Sequence, residues 1–299
     1  MIYSSQVTQT FAKHSTGVTM SIMTSQQLGF PPDARLLILN IDDFGFCLTA
    51  NLSAMHTLAH GTASSVTVMT PPAWSKHALK LLKEHPEIPC GVHLTTISEH
   101  ELLRWRPLTS PDRIPSLVDG EGFLPLETER TNLLARVNLN ELEIEWRAQI
   151  EMVLDQGLTP NQLDSHCNIH DARDDIFWMS VRLAKEYGLA LRVHQPVYID
   201  ALKKQNLPVI DHTDLDSYDL PTRNKSDIYL TLLHELPEGV SEWAIHPARG
   251  SVELRTINPS WRVRAADYRF FNSEECREAI EKEGIQIISY QSLQPAWMR

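Results

Sequence analysis

Apolar residues fall into short unbroken runs separated by longer stretches of helical spacing. The opening run, residues 36–41, is apolar except at Asn40 and breaks into Asp42, Asp43, Phe44 and Gly45. Apolar side chains on both faces of the pleat predict a strand buried in a parallel sheet. Residues 65–69, 90–94, 162–166, 189–193, 243–246 and 285–289 predict further strands. Helices are predicted over 49–60 (stopped by Gly61), 73–83 (by His85 and Pro86), 140–156 (by Gly157), 174–187 (by Gly188), 227–236 (by Pro237) and 273–284. Strands and helices alternate with few hairpin signals, which favours a parallel sheet. A length of 299 residues suits one α/β barrel domain, TIM-like, with fewer than eight regular strands.

Two segments fall outside this alternation. Residues 95–126 carry many Pro, Gly, Arg and Asp without a sustained period. They read as an excursion over the face that holds Asp42 and His93, a lid or binding loop outside the core. Residues 1–29 read as a flexible arm ahead of a domain spanning 30–299.

Composition narrows the function. With 42% hydrophobic and 22% charged residues and a mean hydropathy of −0.25, the chain is globular. A formal charge of −11, from 27 basic and 38 acidic residues, argues against nucleic acid or an anionic membrane as partner. A small neutral or cationic substrate fits better, and a homodimer is compatible with the composition. No run reads as a signal peptide or a membrane span. Cys47, Cys90, Cys167 and Cys276 lie far apart without a C-x-x-C pair. They read as reduced thiols of a cytoplasmic protein.

The candidate chemistry sits at strand ends. Asp42 and Asp43 close the first strand, and His93, His166 and His246 lie at the ends of three others. Adjacent carboxylates repel, so a site that keeps both ionised supplies a cation. Each residue also has a plain alternative: aspartates cap turns, and most of 13 histidines serve as surface or hydrogen-bonded groups. Their coincidence on the face a barrel uses for chemistry favours one divalent ion held by a carboxylate and two imidazoles, with open positions. Asp164 suits orienting His166 or His93 through the ring nitrogen turned away from the ion, or capping a turn. His170 reads as a site wall rather than a ligand. Trp105 is balanced between stacking on a substrate ring and packing, whereas Trp74, Trp146, Trp178 and Trp243 read as packing.

These motifs resemble a known family. Ile41-Asp42-Asp43-Phe44-Gly45, Gly91-Val92-His93-Leu94, Leu163-Asp164-Ser165-His166 with His170, and His246-Pro247 are similar, in order, to the motifs of YdjC-like (ChbG/HpnK-type) carbohydrate deacetylases. The resemblance runs from Leu36 to Tyr290. It implies a distorted (β/α) barrel that removes acetyl groups from N-acetylated amino sugars such as chitooligosaccharides with a divalent metal; one carboxylate and two imidazoles suit zinc, magnesium or a transition metal such as nickel, cobalt or manganese. By the same resemblance Asp43, His93 and His166 are the metal ligands. Asp42 is the general base, and His246 is an acid or oxyanion stabiliser. Gln149 and Arg192 lie near the site without an assigned role.

The chain departs from the family pattern at Cys167 and Asn168, where histidines are common. It departs again around Arg264-Ala265-Ala266-Asp267-Tyr268 and at Ala248-Arg249. The metal site is expected to be kept and the substrate contacts to have diverged. Two other readings compete: an amidohydrolase or phosphoesterase on a barrel acting on a non-sugar substrate, and a non-catalytic carbohydrate-binding protein with a relic site. Retention of both Asp42 and His246 argues against the relic.

Overall fold

The computed structural model describes residues 22–298. Helix α1 (Thr24–Gln27) precedes the central strand β1 (Arg35–Phe44). Then follow α2 (Leu48–His60), β2 (Ser65–Val68), α3 (Ser75–Glu84) and β3 (Cys90–Leu94). After a long connection come α4 (Arg130–Arg136), α5 (Leu139–Asp155), β4 (Gln162–Ser165), α6 (Asp174–Tyr187), β5 (Ala190–Leu191) and α7 (Pro196–Lys203). The chain continues through β6 (Leu215–Asp216), α8 (Lys225–His234) and β7 (Gly239–Ile245). It ends with α9 (Val252–Ile257), α10 (Trp261–Phe271), α11 (Glu274–Lys282), β8 (Gln286–Ile288) and α12 (Gln294–Trp297).

Leu36, Leu37, Ile38 and Leu39 are fully buried, as a strand covered on both faces requires. One edge of β1 pairs with β7 from Arg35 to Ile41. Its other edge is shared, with β8 against Leu36–Ile38 and β2 from Asn40 onward. All pairs are parallel, in the order β5-β4-β3-β2-β1-β7-β6. Among the described residues β5 and β6 do not pair, so the sheet curls into a half-barrel with an open seam. This is the expected α/β, distorted TIM-like architecture in a single domain.

Four features differ from the sequence reading. β6, two residues long, is too short to leave a periodic pattern. The 95–126 excursion enters the interior: Ile97, Ile114, Leu117 and Leu124 are fully buried. Its backbone is pinned by charge, since Glu145 accepts from the N–H groups of Leu108 (3.0 Å) and Thr109 (2.8 Å). Trp178, expected in the core, is 43% exposed, because the inward face of α6 is filled by Ile176, Phe177, Val181 and Leu183. Within the expected arm, α1 docks onto the domain through Thr24 N–H, 2.9 Å from Asp211 Oδ1. The arm's earlier residues lie outside the described ones.

Candidate active site

In a regular pleat consecutive side chains point to opposite faces. At the end of β1 that alternation is broken. The register against β2 shifts between Ile41 and Phe44, and Asp43 is left-handed at φ 62°. Aspartate is among the few residues that tolerate this conformation, at a cost of about 1 kcal/mol or more. The kink lets both carboxylates face one buried space. Gly45 follows at φ 108°, and a Cβ there would lie 2.6 Å from the Met69 carbonyl, so the turn requires glycine.

Three side chains converge on Asp43. His93 Nε2 lies 3.2 Å and His166 Nδ1 3.0 Å from its Oδ1, and Arg264 donates to its Oδ2 at 2.5 Å. Against the cost of burial, Arg264 and His166 hold the Asp43 carboxyl well below the usual carboxylate range. The far nitrogen of His93, Nδ1, is 2.7 Å from Asp164 Oδ1. Burial opposes charge on this ring, but Asp164, with Asp42, lifts it to about 9. His166 is followed by two left-handed residues, Cys167 (φ 56°) and Asn168 (φ 51°), which turn the chain sharply after β4.

Asp42 takes a different partner. Arg192, just beyond β5, grips it with both terminal nitrogens at 2.6 and 2.8 Å. The same guanidinium reaches Glu242 at 2.8 Å and Asp164 at 3.0 Å. Burial is outweighed by Arg192, so Asp42 stays ionised. Nε2 of His246 lies 4.0 Å from Asp42 Oδ2. The other His246 nitrogen is 3.1 Å from Ser217 Oγ, and its backbone N–H donates to Asp267 Oδ2 at 2.9 Å. Burial pushes the His246 ring down to about 3.

Two of the singled-out residues stand back from this space. His170 has both nitrogens engaged, Nδ1 with Ser165 Oγ (2.7 Å) and Nε2 with the Arg192 carbonyl (3.0 Å). Trp105 is 2% exposed and packs edge-on against Phe46 and the His166 ring. Its faces are therefore not offered for sugar stacking. Gln149 clamps Thr95, accepting from its N–H and donating to its carbonyl, both at 2.7 Å.

Three site residues were not anticipated in their roles. Glu99, from the excursion, lies 3.5 Å from His166 Nε2 and 3.0 Å from Arg264. Arg264 reaches Asp43 from α10, and Ser217 reaches His246 from the turn after β6. No local pattern marks Glu99 or Ser217. Arg264 lies in a stretch whose departure from the family motif was the one available signal.

The donor set fits a divalent cation. Asp43, His93 and His166 bring one ligand atom each within 4.8 Å of one another. With the His93 Nδ1–H given to Asp164, Nε2 is aimed at the Asp43 oxygen, where a cation would take the place of the ring's second proton. Asp42, His93 and Asp164 form a comparable group, but the two carboxylates there are taken by Arg192 and the His93 Nδ1 proton.

A family model described as YdjC-like protein matches residues 36–282. A carbohydrate deacetylase of Geobacillus stearothermophilus is 28% identical over 258 residues, covering 86% of this chain and 97% of the relative. A carbohydrate deacetylase of Listeria monocytogenes serotype 4b (strain CLIP80459) is 29% identical over 259 residues, covering 86% and 99%. A crystal structure from Enterococcus faecalis V583, proposed as a cellobiose-phosphate cleavage protein, superposes with a TM-score of 0.77 at 28% identity, covering 87% of this chain and 99% of the other.

Proposed function

The chain belongs to the YdjC-like protein family, and from that premise we propose that it is a divalent-metal-dependent carbohydrate deacetylase acting on N-acetylated amino sugars. The observation that carries this reading is the division of labour between adjacent carboxylates. Asp43 faces two imidazoles, while Asp42 faces a guanidinium and a third imidazole. The ion that Asp43, His93 and His166 would hold supplies Lewis acidity toward the acetamide carbonyl and acidifies a water molecule.

The chain's own residues do the rest. Asp42, kept ionised and fixed in direction by Arg192, takes the proton of the attacking water as the C–O bond forms. His246 enters neutral, so the proton it delivers comes from the reaction: from Asp42, 4.0 Å away, through Nε2 to the leaving nitrogen as the C–N bond breaks. Acetate and a free amino sugar result. Ser217 holds the His246 imidazole, Asp267 anchors its backbone N–H, and Asp164 orients His93. The four cysteines are free thiols, which supports a cytoplasmic location. No helix among the described residues is long and apolar enough to cross a membrane.

The test is acetate release from a panel of N-acetylated mono- and oligosaccharides with zinc, nickel, cobalt, manganese or magnesium. Cellobiose phosphate is included because of the enterococcal relative, and Asp42→Asn serves as the blank. Acetate production that depends on metal and on Asp42 is expected. Phosphate release without acetate, or full activity in Asp42→Asn, would overturn the reading.

A further inference from the structure

A second group of side chains, sharing no residue with the first, lies where the half-barrel is open. Strands β5 and β6 are its unpaired margins, and the residues flanking them meet across the seam. His194, just after β5, places Nδ1 2.6 Å from Oδ2 of Asp214, just before β6. The other nitrogen, Nε2, is buried without a hydrogen-bond partner. So is Oδ2 of Asp171, a residue 4% exposed in the turn after β4. Donor atoms of His170, Asp171 and His194 lie within 4.8 Å of one another. The His170 nitrogens are engaged with Ser165 and Arg192, which leaves Asp171 and His194 as the free donors.

A buried carboxylate oxygen and a buried imidazole nitrogen without partners are each costly, and two in one spot call for a common partner. Protonating His194 on both nitrogens does not remove the difficulty, because Nε2–H then has no acceptor within hydrogen-bond reach. An imidazole that gives one N–H to a carboxylate and aims its other nitrogen into a polar space is arranged as metal-binding histidines are. The surroundings attract positive charge: against burial, Asp214 and Asp171 lift the His194 ring to about 9. An ion of the zinc class takes such donors at about 2.0–2.2 Å, so donors that stand within 4.8 Å of one another can share one.

We propose that Asp171 and His194, the latter backed by Asp214, form a second divalent-metal site of the zinc class that ties the open seam of the half-barrel. Water completes the coordination shell, and binding displaces the His194 proton. Because the two sets share no ligand, this is not a bridged two-metal centre.

The test titrates zinc alone into the full chain, with stoichiometry read by native mass spectrometry and calorimetry. The wild type binds two zinc ions. Asp171→Asn and His194→Gln each bind one, and Asp43→Ala keeps the seam ion while losing the other. Zinc raises the melting temperature of Asp43→Ala and leaves that of the Asp43→Ala/His194→Gln double variant unchanged. Should His194→Gln fail to fold, the near-isosteric Asp171→Asn decides. A zinc stoichiometry that neither Asp171→Asn nor His194→Gln lowers by one overturns the proposal.

Discussion

Asp164 Oδ1 and His93 Nδ1 stand 2.7 Å apart, and this contact turns the opposite ring nitrogen toward Asp43. Asp164→Asn keeps the side-chain shape but loses the charge that fixes the ring. Metal affinity should fall about 10–100-fold, the usual effect of removing such a partner, with circular dichroism unchanged. Calorimetric titration reads it, and an unaltered Kd would show that the ring needs no such support.

Glu99 stands toward His166 as Asp164 stands toward His93, at the longer distance of 3.5 Å, and it also shares Arg264 with Asp43. Glu99→Gln should weaken metal binding by about tenfold or more. The same titration measures it, and an unchanged Kd would show that the His166 ring needs no such partner.

Asp42→Asn should lower kcat by about two to four powers of ten, the scale of a positioned base, while metal stoichiometry stays at the wild-type value. Acetate-release kinetics and metal analysis on the same preparation separate the two effects. Loss of the metal along with activity would place Asp42 among the ligands instead.

Arg192 serves Asp42, Asp164 and Glu242 at once. Arg192→Met strands these buried carboxylates and should cost roughly 3–5 kcal/mol of stability. Urea unfolding of the two proteins reads the difference, and a midpoint within error of wild type would mean the carboxylates discharge by taking up protons.

Burial holds the His170 ring neutral, with its pKa pushed down to about 3 from the ordinary histidine value of about 6.5. An unfolded chain takes up this proton as pH falls below about 6.5. The folded chain does not, so this contribution to stability is present above 6.5 and lost as pH falls toward 3. In urea melts from pH 7 to pH 4, His170→Gln should therefore lose stability less steeply than wild type. Parallel curves would show that the ring is charged in the folded state.

Local pattern carried much of this protein. The run from Leu36 to Ile41 had to be a buried strand because no other element covers both faces so evenly. The helices ended at Gly61 and Gly188, where the chain supplies its own stops. Asp42, Asp43, His93, His166 and His246 could be named because each ends such a strand, and parallel strands present their ends on one face.

What the sequence left open depends on contacts between residues far apart in the chain. Asp42 and Asp43 are equivalent neighbours until a bulge and a left-handed turn send one to Arg192 and the other to Arg264. Glu99 lies in a stretch without a period and is fixed only when Ile97 and Leu124 sink into the core. The two-residue strand β6 exists because β7 pairs with it, and the seam it leaves against β5 brings His194 to Asp214. Periodicity records which face of an element meets the core. Which charge meets which is set by the curvature of the sheet, and that was decided by the tertiary structure.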